Sequence, residues 1–577
     1  MIRIRFEERE KIGLQYILES LHGCSPFGSE RIRRLRFYAP EERAELETEL
    51  YNVDRAAKAA GELKETYDKV MIALCQIKDI RGSLRRCREL ETPDHVELFE
   101  IKGYLQRLET IIPLFEQIRA VTDFRGLAFH DPSPALAILD PDNTRSRGFY
   151  IPDSATPRLR EIRQAKKQLE EQLFHAQTDA EKENLRMQRT RLCAEEDSEE
   201  TKVRRAMGAA LAPLADGLLE DAETLGRLDF IIQKALFAVR YGGILPEITD
   251  GELELTDMVN PELCDLLEQK GRRFVPVSIA LTRGATVITG ANMGGKSVAM
   301  KTVALNVLLL QAGFLVCAKR ARMPLFHSVK MLFDDLQSIQ SGLSGFGSEI
   351  VEFQKALSEV EEGYSLFLLD EFARGTNPDE GARIVQAVTR YLNDVDAISL
   401  LTTHYDKVAE FAHAHYQIIG LRDVDPEEIR RELAASGEDG VAVIARHMNY
   451  GLYRVEGASD CPRDALNICR MLSLKPEILE KIQIMQAAGA DVFKIAAMAV
   501  TREDAENLLK TTAFLHQNGI GPLVMMAMGE WGKTTRVAAG RYGSCITFAA
   551  GQEASAPGQV DAFTMLKWLN DYYGEEA

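Results

Sequence analysis

The sequence has few cysteines, and they form no metal-ligand or disulfide pattern. Its nine cysteines are scattered over 577 residues, and no two of them form a Cys-x-x-Cys pair. This spacing argues against a zinc site and a disulfide framework, and it fits a reducing compartment. The chain also lacks apolar runs near the ~20 residues that span a bilayer. Its first residues, MIRIRFEEREKIGL, lack the apolar core of a signal peptide. We therefore expect a cytoplasmic protein with no membrane partner.

The sequence also has fewer basic residues than acidic residues. The chain has 70 Lys and Arg against 88 Asp and Glu, which gives a net charge of −18 and a pI near 5.2. Because nucleic-acid-binding proteins usually carry a basic surface, the overall charge argues mildly against DNA as the main partner. Two basic segments, RIRRLR (31–36) and RGSLRRCR (81–88), could contact phosphates locally. The favoured interpretation of both is a solvated helix face.

The length predicts several domains, since one domain takes roughly 100–200 residues. Residues 1–245 show helical spacing of apolar residues, including a long polar stretch typical of a projecting arm. Residues 246–440 alternate short β-branched runs with helical ones, which predicts an α/β domain with a parallel sheet. Residues 441–483 return to short helical elements. Residues 484–577 read as β/α repeats, but a complete barrel needs ~250 residues, so this part predicts a barrel fragment.

A phosphate-binding loop is predicted where the strand-like run ATVIT meets a helical segment. The motif G-x-x-x-x-G-K-[ST] places backbone N–H groups around phosphate oxygens at the start of a helix. Its lysine, Lys296, would reach the β- and γ-phosphates of ATP, and the hydroxyl of Ser297 would bind Mg²⁺. The predicted nucleotide-binding residues are Gly290, Ala291, Asn292, Met293, Gly294, Gly295, Lys296 and Ser297.

Two further strand-like runs end in residues suited to the same chemistry. The run SLFLLDE ends at Asp370, which would orient Mg²⁺ or its waters, and at Glu371, the candidate general base for the attacking water. The run AISLLTTH ends at His404, which would sense the γ-phosphate. Because the carboxyl ends of parallel strands share one edge of a sheet, these residues are expected near the loop.

These motifs resemble those of the MutS family of ATPases. TGANMGGKS is similar to the family's T-G-P-N-M-G-G-K-S, with Ala291 in place of the proline. LLDEFARGTNPDEG and TTHY resemble the two motifs that follow it, and Asn260 stands where the family often has histidine. DDLQSIQSGLSGFGSEI resembles the signature segment, with Ser344 in its S-x-F core. The resemblance covers about residues 11–483, and it likens the helical region to the family's core, lever and clamp domains.

The resemblance implies a homodimer that is similar to ABC-type ATPases. Ser344 of one subunit would complete the ATP site of the other, and residues 462–482 match the dimerisation helices. ATP binding and hydrolysis would drive a conformational change on DNA. No mismatch-reading domain is expected in this sequence, and the arm is acidic at AEEDSEE. Short MutS-related ATPases of this layout also resemble proteins encoded beside cobalamin-dependent aminomutases. This second resemblance implies an alternative partner, namely such a protein, which the ATPase would reactivate.

The last region resembles the C-terminal half of type I 3-dehydroquinate dehydratase, a (β/α)₈ barrel enzyme that forms an imine with its substrate. The resemblance places Lys494 at the Schiff-base position. It places Arg536, Ser555 and Gln559 among the substrate contacts, with Met526, Met528 and Phe548 as pocket walls. The family's acid/base histidine belongs to the first half of the barrel, so we expect dehydratase activity to be lost.

Overall fold

The computed structural model describes most of the chain in several ranges. These are residues 2–143, 148, 150–290, 295–333, 345–360, 363–405, 407–422, 424–425, 429, 431–432, 440–456, 492–517, 522–550, 557 and 559–573. Within them, no helix is both long and apolar enough to cross a lipid bilayer. The chain divides into two compact units. We call Leu14–Leu245 with Leu308–Cys317 the helical unit, and Met1–Gly13, Pro246–Val307 and Ala318–Ala577 the sheet unit.

The first 245 residues form helices where the apolar spacing predicts them. Local signals set several boundaries: the side chains of Asp94, Thr156 and Thr178 each accept a backbone N–H at the start of a helix. The helices are α1 (Phe6–Ile12), α2 (Leu14–Ser20), α3 (Pro26–Arg33), α4 (Arg43–Ala59), α5 (Lys64–Leu74), α6 (Arg81–Arg88), α7 (His95–Thr122), α8 (Ser133–Leu139), α9 (Pro157–His175), α10 (Asp179–Leu211) and α11 (Ala215–Tyr241). Short 3₁₀ turns cover Pro40–Glu42 and Ala212–Leu214.

The core of the helical unit is built around α11, which is buried along most of its length. It packs against α3, α4 and α6. Its carboxylate Asp229 is fully buried and accepts hydrogen bonds from the Ser25 backbone and hydroxyl, each at 2.7 Å. The two longest polar helices, α9 and α10, pack against each other. They therefore form a helical pair, and its projection as an arm stays a prediction.

The middle of the chain forms the α/β elements. They are β1 (Glu247–Thr249), β2 (Leu253–Met258), α12 (Pro261–Gln269), β3 (Val277–Leu281), β4 (Gly284–Thr289), α13 (Lys296–Gln311), β5 (Arg320–Pro324), β6 (Ser328–Leu332), α14 (Gly345–Val360), β7 (Ser365–Asp370), α15 (Pro378–Leu392), β8 (Ala397–Thr402), β9 (Ala414–Gly420), α16 (Gly440–His447) and β10 (Asn449–Arg454), with a 3₁₀ turn at Val408–Phe411.

Among the described residues these strands form two sheets. One has the order β1-β5-β2-β3 and the other β10-β9-β4-β8-β7-β6. In the larger sheet all neighbours are parallel except β10, which runs antiparallel to β9. Strands β4, β7 and β8 are buried along their whole length, as expected for parallel strands covered on both faces. Their carboxyl ends, Thr289, Asp370 and Thr402, therefore lie along one edge.

The region after residue 440 differs in part from the prediction of short helices. Residues 449–454 form the strand β10, because they pair with the exposed edge of β9. Residues 457–491, which contain the predicted dimerisation helices at 462–482, lie outside the described residues.

The C-terminal region contains the predicted β/α alternation. Its elements are β11 (Phe493–Met498), α17 (Arg502–Gln517), β12 (Leu523–Met528), α18 (Gly532–Ala538), a 3₁₀ turn at Ala539–Tyr542, and α19 (Ala562–Tyr573). Strands β11 and β12 are parallel. The run SCITFAAG, which reads as a strand in the sequence, contributes isolated bridges at Ser544 and Ala550 rather than a continuous strand.

Candidate active site

The predicted phosphate loop connects β4 to α13. Gly290 has φ 142° and Gly295 has φ 87°, values that side chains disfavour, so glycine is required where the chain leaves the strand and enters the helix. Lys296 is 3% exposed, and its Nζ donates to the Gly290 carbonyl at 2.8 Å. Residues 291–294 of the loop (Ala291, Asn292, Met293 and Gly294) lie outside the described residues. Of the loop, the structure therefore describes Gly290 and Gly295, and Lys296 contacts the first of them.

The two residues predicted to hold the metal are in contact. The Ser297 hydroxyl donates to Asp370 Oδ1 at 2.8 Å, and the Thr402 hydroxyl donates to the same oxygen at 2.6 Å. Hydroxyl and carboxylate oxygens are the ligands that Mg²⁺ prefers, and a nucleotide-bound Mg²⁺ needs only one or two of them from the protein. This agrees with the described part of the chain, where no cluster of three or more His, Cys, Asp or Glu is arranged for a metal.

Glu371 follows Asp370 in a left-handed conformation, with φ 48°. Its backbone N–H donates to the Thr402 hydroxyl at 3.0 Å, which fixes the turn against β8. Its carboxylate lies 3.5 Å from Lys296 Nζ and accepts from Arg374 at 3.1 Å. The candidate general base therefore faces the candidate phosphate-binding lysine.

His404 lies two residues after the end of β8. Its Nδ1 is buried and has no hydrogen-bond partner among the described residues. Burial lowers the pKa of His404 to about 4, with the Glu371 carboxylate opposing the shift. The imidazole is therefore neutral at neutral pH, so it can donate or accept one hydrogen bond without adding a charge to the site.

Thr402 is the residue of this site that sequence reasoning missed. Its hydroxyl contacts both the Asp370 carboxylate and the Glu371 N–H. Its position could have indicated this contact, because a threonine that ends a buried strand beside the strand ending in Asp370 can donate to that carboxylate. Pairing of β7 with β8 in this register, Asp370 opposite Thr402, produces the contact.

The signature serine, Ser344, lies outside the described residues. The helix that follows it, α14, packs on the larger sheet through a cluster that includes Phe353, Phe367 and Phe372. The structure therefore describes this helix from its first residue. The role of Ser344 in the ATP site of the other subunit stays a prediction.

The basic segments of the helical unit are occupied by ion pairs with acidic neighbours. The pairs are Arg31–Glu223 (2.9 Å), Arg34–Glu30 (2.9 Å), Arg81–Glu30 (2.7 Å), Arg86–Glu97 (2.9 Å) and Arg88–Asp216 (3.0 Å). Arg36 also pairs with Glu42. Local neutralisation lowers the positive potential that a phosphate backbone would meet, which favours the solvated-face interpretation of both segments.

In the C-terminal region, Lys494 and Arg536 converge on one aromatic residue. Lys494 is exposed on β11, and its Nζ lies 3.9 Å from the centre of the Phe548 ring. Arg536 is 2% exposed and donates to the Phe548 carbonyl at 3.3 Å, and burial lowers the pKa of its guanidinium. Gln559 is half-buried, while Ser555 lies outside the described residues.

Comparisons with known proteins match two successive regions of the chain to two different families. The family model for MutS domain V matches residues 286–468, and the one for type I 3-dehydroquinase matches residues 472–576. The protein named Endonuclease MutS2 of Agathobacter rectalis is 35% identical over 233 residues, which cover 40% of this chain and 28% of that protein. The protein of the same name from Thermomicrobium roseum is 30% identical over 330 residues, which cover 55% of this chain and 39% of that protein. That of Shouchella clausii is 29% identical over 327 residues, covering 56% and 38%.

The chain spans well under half the length of these relatives. The first family match contains the phosphate loop, Asp370, Glu371 and His404, and the second contains Lys494 and Arg536. The chain therefore joins a region that matches the MutS domain V family to a region that matches the type I 3-dehydroquinase family.

Proposed function

We propose that this protein is a MutS-related dimeric ATPase that couples ATP binding and hydrolysis to a conformational change on DNA. The observation that supports it most is the joint placement of Ser297, Asp370 and Glu371 beside Lys296. A phosphate-binding lysine, two oxygen ligands for a metal and a carboxylate base at one sheet edge are the parts that nucleotide hydrolysis requires.

Each residue has a distinct role in the proposed reaction. The backbone of residues 290–295 and the Lys296 ammonium hold the triphosphate, and the N-terminus of α13 favours its negative charge. Ser297 and Asp370 would hold Mg²⁺, which when bound supplies charge that stabilises the phosphate oxygens. Glu371 orients a water molecule and takes its proton, while neutral His404 donates a hydrogen bond toward the γ-phosphate.

The second subunit completes the site in this proposal. Ser344 of each subunit would contact the γ-phosphate bound by the other, so hydrolysis would depend on dimer formation. The nuclease activity named for the relatives is not carried over, because the match covers 28–39% of their length.

DNA as the partner is tested by measuring DNA affinity with and without ATP. We expect micromolar binding to double-stranded DNA, with Kd about 1–100 µM at physiological salt and weaker as salt rises. Saturating ATP should change that affinity by about fivefold or more, as expected for coupled sites. The measurement is DNA affinity at about 50 and 200 mM salt, with and without ATP. The control is Lys296→Ala, which should keep the DNA-binding surface but should no longer bind ATP.

The opposite result would favour the alternative partner. The net charge of −18 and the ion-paired arginines weigh against DNA as the partner. The alternative that the resemblance implies is a protein partner such as a cobalamin-dependent aminomutase. If the rate of ATP hydrolysis does not change with DNA at either salt concentration but rises when such a protein is added, that protein replaces DNA as the proposed partner.

We do not propose 3-dehydroquinate dehydratase turnover for the C-terminal region. Lys494 and Arg536 both contact Phe548, so two residues that the resemblance assigns to the substrate site lie near each other. The resemblance, however, assigns the acid/base histidine to a part of the barrel outside the matched residues. The nearest candidate by sequence, His516, lies on α17, where burial and then the charge of Arg374 lower its pKa.

A further inference from the structure

The turn that carries the general base is held in an unfavourable backbone conformation. Both Glu371 (φ 48°) and Ala373 (φ 63°) are left-handed, although neither is glycine. Such residues are energetically unfavourable and persist only where the surroundings hold them. Ala373 is completely buried, so its N–H and carbonyl both need partners inside the protein.

Two side chains supply those partners. The Glu349 carboxylate, on α14, accepts a hydrogen bond from the Ala373 N–H at 3.0 Å. The Tyr405 hydroxyl donates to the Ala373 carbonyl at 2.8 Å. The Tyr405 hydroxyl also occupies the space that a side chain at Gly381 would fill, since a Cβ there would lie 2.4 Å from it. The turn is thus held on one side by α14 and on the other by the residue after His404.

Packing reinforces the contact with α14. Phe372, between the two left-handed residues, is 2% exposed, and its ring centre lies 4.8 Å from that of Phe353 on α14. Glu349 and Phe353 are four residues apart and therefore share a face of the helix. That face contacts two consecutive residues, Phe372 and Ala373, directly after the proposed general base.

We propose that Glu349 is a positioning residue for ATP hydrolysis, acting on Glu371 through the Ala373 N–H. This rests on the proposed function, because a positioning role for Glu349 requires Glu371 to be the general base. Since α14 begins directly after the signature-like segment in the sequence, the hydrogen bond also joins that helix to the general base within one chain.

The test compares Glu349→Ala with Glu349→Gln. Loss of the acceptor should displace Glu371 and lower kcat roughly 10- to 100-fold, because a displacement of ~1 Å can cost that much. ATP affinity should stay within about twofold, since Lys296 and the loop are untouched. The glutamine oxygen can accept the same N–H, so Glu349→Gln should retain most of the wild-type kcat.

Two further variants complete the test. Glu352→Ala, which removes an exposed acid from the same helix, should leave kcat unchanged. Tyr405→Phe removes the other hydrogen bond to Ala373 and should lower kcat without altering ATP affinity. If Glu349→Ala does not fold, the kcat of Tyr405→Phe tests the inference in its place.

Wild-type kcat in both Glu349→Ala and Tyr405→Phe would overturn the inference while leaving the ATPase proposal intact. An equal loss in Glu349→Ala and Glu349→Gln would overturn it as well, because the charge rather than the hydrogen bond would then matter. A wild-type protein without ATP turnover would instead contradict the proposed function.

Discussion

Replacing Glu371 by glutamine is expected to reduce ATP turnover at least about 100-fold, the usual contribution of a positioned general base. The amide is close in size to the carboxylate but cannot take a proton from the attacking water. ATP binding should stay within about threefold of wild type, because Lys296 and the Ser297–Asp370 pair remain in place. Phosphate release under steady-state conditions gives kcat, and titration with a fluorescent ATP analogue gives the affinity.

The matched control is Glu380→Gln, which removes an exposed carboxylate from α15 further along the same motif. It should leave turnover within about twofold of wild type, as surface substitutions usually do. Normal turnover by Glu371→Gln would show that another group activates the water, and the role assigned to Glu371 would then be wrong.

Replacing Lys234 by alanine is expected to destabilise the helical unit by about 3–5 kcal/mol, the cost of breaking a buried ion pair. The Lys234 side chain is 2% exposed, and its Nζ donates to Glu49 Oε1 at 3.0 Å and to the Ala312 carbonyl at 2.9 Å. Burial lowers the pKa of Lys234, and the Glu49 carboxylate opposes that shift. Without the ammonium, the buried Glu49 carboxylate keeps only the longer pair with Arg227, at 3.9 Å, and the Ala312 carbonyl loses its hydrogen bond from Lys234.

The surroundings of Lys234 explain how a charge is tolerated there. Its Nζ lies 4.2 Å from the ring centre of Phe230 and 4.9 Å from that of Phe314, so two aromatic faces replace part of its hydration. Ala312 directly follows α13, the helix that begins with Lys296. The ammonium therefore satisfies a carbonyl at the C-terminal end of the helix whose first residue faces the phosphate site.

The measurement is the midpoint of urea unfolding followed by helical circular dichroism. The double variant Lys234→Met with Glu49→Leu removes both charges and should recover most of the loss, because apolar replacement of a buried pair is often neutral. Lys58→Ala breaks the pair with Asp54, in which the Lys58 side chain is 68% exposed, and should cost less than about 1 kcal/mol. A shift in Lys234→Ala no larger than that of Lys58→Ala would contradict the account of this pair.

The main elements around the candidate site could be predicted from sequence because each carries a local signal. The apolar runs that end at Thr289, Asp370 and Thr402 are β4, β7 and β8, and the helical pattern after the glycines is α13. Parallel pairing then brings their carboxyl ends together, so the meeting of Ser297, Asp370 and Glu371 also follows.

The contacts that sequence reasoning missed depend on pairings far apart in the chain. Thr402 reaches Asp370 through the register of β7 and β8, and Lys234 meets Glu49 across 185 positions. No local pattern predicts such partners, because their side chains satisfy each other only after the fold forms. Strand β10 was missed for a related reason, since its pairing with the edge of β9 overrides the helical spacing around it.

Equilibrium titration of the purified protein with ATP, with and without Mg²⁺, tests the central claim most directly. The account predicts saturable binding that strengthens with Mg²⁺ in the wild type and is lost in Lys296→Ala, whose circular dichroism stays that of the wild type. Wild-type protein that binds no ATP at any protein concentration, or Lys296→Ala that binds as tightly as wild type, would contradict it.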